Sequence, residues 1–206
     1  MPSHYHLAII GAGPAGLSAA GRAAWYSRQQ NGEDRSYLLL EGSPEIAHTI
    51  YNYQKGKFVM AEPGYLELRS DLPFEANSRE AILQYWQERA AESGLNIQFN
   101  AKVSNIKKED ERFVISVSGG EALTADYVIL AIGSEGNPRR MGVPGEDLPL
   151  VQYSLADAGA YRDEVIVVVG AGDSAIENAL ARAAQNTVYI LNRRGEFSRA
   201  KSQNLD

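Results

Sequence analysis

The sequence contains no cysteine. That excludes a disulfide framework, a thiolate metal site and any redox dithiol carried on this chain. A cysteine-free chain suits a reducing compartment, and the cytoplasm is the expected location. Histidine is scarce as well. His4, His6 and His48 are the only three, and without thiolates they are too scattered to predict a zinc site, so no metal is expected. Long hydrophobic runs are missing. Residues 7–10 are an apolar run of only four, too short for a signal-peptide core or a membrane span, so no membrane partner is expected. Positive charge is not in excess. Lys and Arg total 20 against 26 Asp and Glu, a formal charge of −6, whereas a general nucleic-acid binder needs a basic face to displace counterions from phosphate. Ser174 stands in Gly-Ala-Gly-Asp-Ser, which is not the G-x-S-x-G elbow of a hydrolase.

What is present is a strand–turn–helix pattern that occurs twice. Residues 7–10 read as a buried strand because the apolar run is continuous rather than alternating. A glycine-rich turn follows, then an alanine-rich helix over 17–28, a polar stretch over 29–36, and a second buried strand over 37–40 ending at Glu41. Residues 42–73 have no clean period and read as irregular with short elements. Asn77 or Ser78 can cap a helix over 79–93, with Ile82, Leu83, Trp86 and Ala90 on one face and Gly94 ending it. Residues 97–99 read as a strand, and the alternation through 113–118 before Gly119-Gly120 predicts a β-hairpin. Residues 127–132 read as another buried strand, leading into a loop with Pro138, Pro144 and Pro149 that reads as a domain linker. Residues 165–169 are the most apolar strand. A second glycine turn, a helix over 175–184 and a strand over 187–191 complete a second βαβ unit. The two histidines at 4 and 6 precede the first strand in this reading and are expected to be solvated.

Gly11-Ala12-Gly13-Pro14-Ala15-Gly16 fits G-x-G-x-x-G between a strand and a helix. The first glycine permits the tight turn, the second lets backbone approach a pyrophosphate, and the third lets helix and strand pack closely. The helix start then aims its unpaired N–H groups at phosphate. Glu41, at the end of the second strand, is placed to accept from ribose hydroxyls. The interval to it exceeds the usual roughly 20 residues, and the polar insert 29–35 accounts for the excess. The plainer alternative is a glycine turn that binds nothing and a solvated strand-end glutamate.

Gly170-Ala171-Gly172-Asp173-Ser174-Ala175 repeats the arrangement, with Ala175 as the small replacement for the third glycine. The following strand ends in Asn192-Arg193-Arg194 rather than in an acid. Guanidinium groups pair bidentately with a 2′-phosphate that a carboxylate would repel, so NADPH is favoured over NADH. Arg199 and Lys201 add to the same positive patch. The alternative is that two arginines merely solvate a strand end. Asp173 and Glu177 at the helix start either favour the helix dipole or contact the nicotinamide nucleotide. Two dinucleotide units in one chain fit a flavin enzyme with one site for FAD and one for its nicotinamide donor.

These residues resemble the thioredoxin-reductase-like group of two-dinucleotide-binding-domain flavoproteins, over essentially the whole chain. Residues 9–16 look like the family's FAD turn, and residues 127–134, containing Ala131 and Gly133, look like its second FAD-contacting strand. Residues 170–177 resemble its NADPH turn, and residues 192–199, ending in Arg199, its arginine segment. The resemblance also implies backbone contacts from Val103 to adenine. Tyr153-Ser154-Leu155-Ala156 stands where thioredoxin reductases carry Cys-x-x-Cys, so dithiol exchange by that route is impossible. Bacillithiol-disulfide-reductase-like proteins and thioredoxin-reductase-like ferredoxin–NADP reductases are therefore the nearest patterns, and Ile50-Tyr51-Asn52-Tyr53 has some likeness to the former. The chain stops after one βαβ of the second domain, so it looks like an excised piece or the leading part of a longer protein.

The fold implied is α/β: a Rossmann-like FAD-binding domain with a β-meander over residues 1–149, then the start of a second Rossmann-like NAD(P)H-binding domain over 150–206. The function implied is an FAD-dependent, NADPH-using oxidoreductase with an unidentified small-molecule or protein electron acceptor. No side chain is an obligatory acid or base for hydride transfer to flavin, so no catalytic residue is named. The competing reading is a non-catalytic FAD- or NADPH-binding module of a larger redox or signalling protein. Homodimerisation is common in the group that the chain resembles.

Overall fold

A computed structural model describes residues 3–29, 37–59, 72, 75–134, 139–155, 157–197 and 200. The chain divides into two compact units, Met1–Glu146 and Asp147–Asp206.

In the first unit, β1 (His4–Ile10), β2 (Tyr37–Leu40), β5 (Ile97–Gln98) and β8 (Leu123–Leu130) pair in parallel. β6 (Val103–Glu109) and β7 (Arg112–Val117) extend the sheet antiparallel from β8, giving the order β5-β2-β1-β8-β7-β6. The last three strands are the meander. The unbroken apolar runs of β1 and β2 follow from burial on both faces. Ile9, Tyr37 and Leu39 face a core with Leu17, Ala20, Ile82, Leu83 and Trp86, whereas Ala8, Ile10, Leu38 and Leu40 join Ile115, Leu123 and Ala125. Each fully buried Leu or Ile contributes about 1.5–3 kcal/mol relative to exposure.

Helix α1 spans Pro14–Gln29, three residues earlier than its apolar pattern suggests. Proline at the first helical position explains this, because its missing N–H would be unpaired there anyway. A short α2 (His48–Tyr51) and the two-residue strands β3 (Phe58–Val59) and β4 (Asn77–Ser78) lie within or just beyond the stretch read as irregular. Helix α3 spans Arg79–Glu92, capped by the Ser78 hydroxyl, which accepts from the Ala81 N–H. Its buried residues are Ile82, Leu83, Trp86 and Ala90, the face the periodicity indicates, and Gly94 follows at φ 57°. The Arg28 guanidinium donates to the Ser93 carbonyl and ties the ends of α1 and α3 together.

Two elements differ from the sequence reading. β6 escapes it, because a register shift between Val103 and Asn105 spaces the inward residues Val103 and Ile106 three apart and hides the period of two. β8 begins four residues before the apolar run at 127–132 and is not buried along it: Tyr127 and Leu130 are 61% and 63% exposed. β7 pairs only with Leu123–Ala125, so the later half of β8 has β1 on one side alone.

In the second unit, β9 (Val165–Val169), α4 (Asp173–Ala183) and β10 (Thr187–Leu191) form a parallel βαβ unit, preceded by a single 3₁₀ turn at Ala158–Ala160. The Asn186 side chain donates to the carbonyls of Tyr161 and Arg182 and accepts from the Glu164 N–H, closing the turn before β10. The alternate residues Val165, Val167, Val169, Tyr189 and Leu191 are exposed, while Ile166 is buried with Ile176 and Ala179 of α4. Among the described residues, no helix is long and apolar enough to cross a membrane.

Candidate functional site

Each glycine of the first turn has a distinct physical reason to be glycine. Gly11 has φ 100°, and a Cβ on it would meet the Ala131 carbonyl oxygen at 2.5 Å. Its N–H donates to Leu40 O at 2.8 Å, and the Ala131 N–H donates to Ile10 O at 2.8 Å, so the turn sits between the ends of β2 and β8. Gly16 is more restricted still, since a Cβ there would lie 1.8 Å from Gly11 O. Gly13 is different. It has no positive φ, and a Cβ on it would meet no protein atom within 4 Å. No packing within the chain requires glycine at that position. What it leaves open is space against backbone beside a helix start, where phosphate oxygens can approach. Pro14 and Ala15 are exposed there. The helical ladder begins with the Leu17 N–H donating to Gly13 O at 2.9 Å, so the amides of Ala15 and Gly16 project from the helix start.

Glu41 lies where the sequence places it, at the end of β2, and is 8% exposed. Its Oε2 accepts from the Ala12 N–H at 2.7 Å and its Oε1 from the Ser43 N–H at 2.9 Å. A carboxylate has about four lone-pair sites, so this bracing leaves capacity for ribose hydroxyls. Gly133 has φ 66°, and a Cβ on it would meet nothing within 4 Å, so it borders open space as Gly13 does. Val103 opens the outer strand β6 opposite Val117, with its side chain packed on the second core cluster.

Sequence reasoning missed the support on the other side of this turn. The Ala47 N–H donates to Ala12 O at 2.8 Å. Ala47 has φ 53°, a conformation that no alanine advertises in a sequence. The histidines at 4 and 6 are part of β1 rather than ahead of it. His4 Nδ1 lies 2.9 Å from Thr124 Oγ1, and His4 Nε2 and His6 Nδ1 lie 3.3 and 3.2 Å from the Asp126 carboxylate. The His6 hydrogen bond, against some desolvation and aided by His4 and Arg112, holds Asp126 below the usual carboxylate range. Among the described residues, no cluster of His, Asp and Glu could hold a metal ion.

The second turn repeats the first. The Gly170 N–H donates to Leu191 O at 2.9 Å, the counterpart of Gly11 to Leu40. Gly170 has φ 134°, and its Cβ would touch the Ala175 methyl at 3.4 Å, the contact a small third residue permits. Gly172, like Gly13, has nothing within 4 Å of a Cβ and caps α4 without a side-chain bond. Asp173 and Ser174 open the helix, with Ser174 exposed. Leu191 pairs with Val169 in parallel, so Arg193 and Arg194 leave the sheet at the same strand ends as the turn. Both are exposed, and the loop they occupy is closed by Asn192 Nδ2 donating to Glu196 O at 2.8 Å. Arg199, Lys201 and Ala156 lie outside the described residues.

Comparison with known proteins agrees with this paired geometry. The chain is 32% identical over 190 residues to a ferredoxin–NADP reductase of Ignicoccus hospitalis, covering 92% of this chain and 56% of that protein. It is 32% identical over 199 residues to a thioredoxin reductase of Helicobacter pylori, covering 92% and 56%. Its structure superposes on the bacillithiol disulfide reductase Bdr (YpdA) of Staphylococcus aureus with a TM-score of 0.83 at 27% identity, covering 100% of this chain and 62% of that one. The chain thus spans less than two thirds of the length of each. The pattern of one family, pyridine nucleotide-disulphide oxidoreductase, matches residues 8–205, and the chain belongs to that family.

Proposed function

We propose that the chain forms the FAD site and part of the NADPH site of a flavin-dependent NADPH oxidoreductase, with FAD on residues 1–149 and the nicotinamide nucleotide on 150–206. The observation that carries this reading is the repeated turn: two parallel βαβ units, each with a second glycine that faces open space rather than protein. In the first, Gly11, Gly13, Pro14, Ala15 and Gly16 would hold the pyrophosphate, with Glu41 accepting from ribose hydroxyls. Ala131, Gly133 and the Val103 backbone would complete the FAD surface. In the second, Gly170, Gly172, Asp173, Ser174 and Ala175 would hold the NADPH pyrophosphate, and Arg193, Arg194 and Arg199 the 2′-phosphate.

When bound, FAD would supply the chemistry, accepting hydride from NADPH and passing electrons to an acceptor. The acceptor is a small molecule or a redox protein, and a thiol pair on this chain takes no part because there is no cysteine. A reducing cytoplasm suits such a protein, and a homodimer is in keeping with the thioredoxin-reductase-like pattern. The test is anaerobic addition of NADPH to the FAD-loaded protein. Loss of flavin absorbance near ~450 nm supports the enzyme. Nucleotide binding without bleaching makes the chain a binding module instead.

A further inference from the structure

Helix α3 borders a cavity that neither glycine turn uses. We infer that this cavity is a binding site for a small guanidinium-bearing molecule, held between two glutamates and against the rings of Tyr85 and Trp86.

The cavity measures about 380 Å³ and is lined by α3 and by the segment that leads into it. That volume falls within the range of small-molecule sites, roughly 300–1,000 Å³. The helical period sets Tyr85 and Glu88 on one side of α3, next to the buried row of Ile82 and Trp86. Ile82 and Trp86 belong to the core cluster that also contains Ala12 and Leu17, and Tyr85 packs against the same cluster. The core therefore fixes the apolar wall of the cavity. Its polar side supplies acceptors. Gln84 Nε2 donates to Glu88 Oε1 at 2.9 Å, which orients that carboxylate and leaves Glu88 Oε2 and the Gln84 amide oxygen as acceptors. Glu75 joins from the segment ahead of the helix, and no basic side chain stands among the described lining residues.

A ligand matched to this lining needs positive charge for the carboxylates, several N–H donors for their oxygens, and a flat face for the rings. Guanidinium has all three, with five donors in a planar fork that also stacks on aromatic faces. An ammonium supplies charge and donors but no flat face. The chain itself shows the pairing: the guanidinium carbon of Arg89 lies 5.6 Å from the centroid of the Tyr85 ring. Arg89 is not part of the lining, and it pairs with Glu92 at 2.8 Å, so it is committed away from Glu75 and Glu88.

The experiment uses Trp25→Phe, which leaves Trp86 as the one tryptophan of the chain. Trp25 is 38% exposed, whereas Trp86 is 2% exposed in the cavity wall, so the replacement spares the core. Trp86 emission is followed at constant ionic strength as butylguanidinium is added, and again with butylurea, a neutral probe of matched shape. Butylguanidinium is expected to saturate at one site and butylurea to bind at least about tenfold more weakly. Glu75→Gln and Glu88→Gln, both at exposed positions, should each weaken butylguanidinium about fivefold, the effect of losing one exposed charge contact. Calorimetry on the unsubstituted chain compares the two probes without reliance on any variant. A response that never saturates, equal affinity for butylurea, or unchanged affinity in either glutamine variant overturns the site.

Discussion

The contrast between Gly13 and Gly16 separates folding from binding within one hexapeptide. An alanine at 16 would place its methyl 1.8 Å from Gly11 O, a backbone atom fixed between β2 and β8. Backbone there cannot yield without separating α1 from the sheet, so Gly16→Ala should destabilise by more than about 3 kcal/mol. An alanine at 13 meets nothing within 4 Å and needs no left-handed φ. Its effect on the unliganded chain should fall within about 1 kcal/mol of zero, and it can be stabilising because the unfolded chain loses freedom. If the open space belongs to a pyrophosphate, the same methyl displaces it. An affinity loss of about 100-fold, roughly 2.7 kcal/mol, is then expected for FAD. Urea unfolding without ligand and FAD titration with flavin fluorescence measure the two effects separately. Gly13→Ala binding FAD as tightly as wild type would refute the assignment of that space to phosphate. Gly16→Ala unfolding at the wild-type urea concentration would refute the steric argument.

Three further outcomes follow from the same geometry. Replacing Arg193 and Arg194 together by alanine should weaken NADP⁺ binding about 10- to 100-fold and leave NAD⁺ binding unchanged, measured by calorimetry; equal losses for both would show that the pair does not read the 2′-phosphate. Glu41→Gln sets an amide N–H against one of two backbone N–H donors and should lower stability by about 1–3 kcal/mol in urea even without nucleotide. Burial pushes the Glu146 carboxyl up, but the N–H groups of Met141 and Gly142, with Arg140 beside it, outweigh that and hold it below the usual range. A depressed carboxylate stabilises the fold above its unfolded value of about 4.3 and loses that contribution as pH falls through its folded value. The stability gap between wild type and Glu146→Gln should therefore be full at pH 7 and close in acid; a gap independent of pH would contradict it.

The parts of this structure legible in the sequence are those whose cause is local. β2 and β9 begin and end where their apolar runs do, and β10 adds only Thr187 ahead of its run. The buried face of α3 is its four-residue apolar period, and both turns announce themselves by glycine. What escaped depends on contacts distant along the chain. The strand β6 is polar and interrupted by a register shift, so only its pairing with β7 defines it. The exposure of Tyr127 and Leu130 reflects how far β7 extends along β8, which no property of residues 127–130 encodes. The anchoring of the first turn by Ala47 comes from an alanine forced into a left-handed conformation by its neighbours. His4 and His6 meet Asp126 across a sequence separation of 120 residues or more, through the β1–β8 register alone.

If the two turns hold two different dinucleotides, binding of the two must be independent. Calorimetric titration of the chain with FAD, and then of the FAD-loaded chain with NADP⁺, should give one site for each, with neither displacing the other. Gly13→Ala should weaken the first about 100-fold and spare the second, and Gly172→Ala the reverse. Competition of the two nucleotides for a single site, or loss of both on either substitution, would contradict the account.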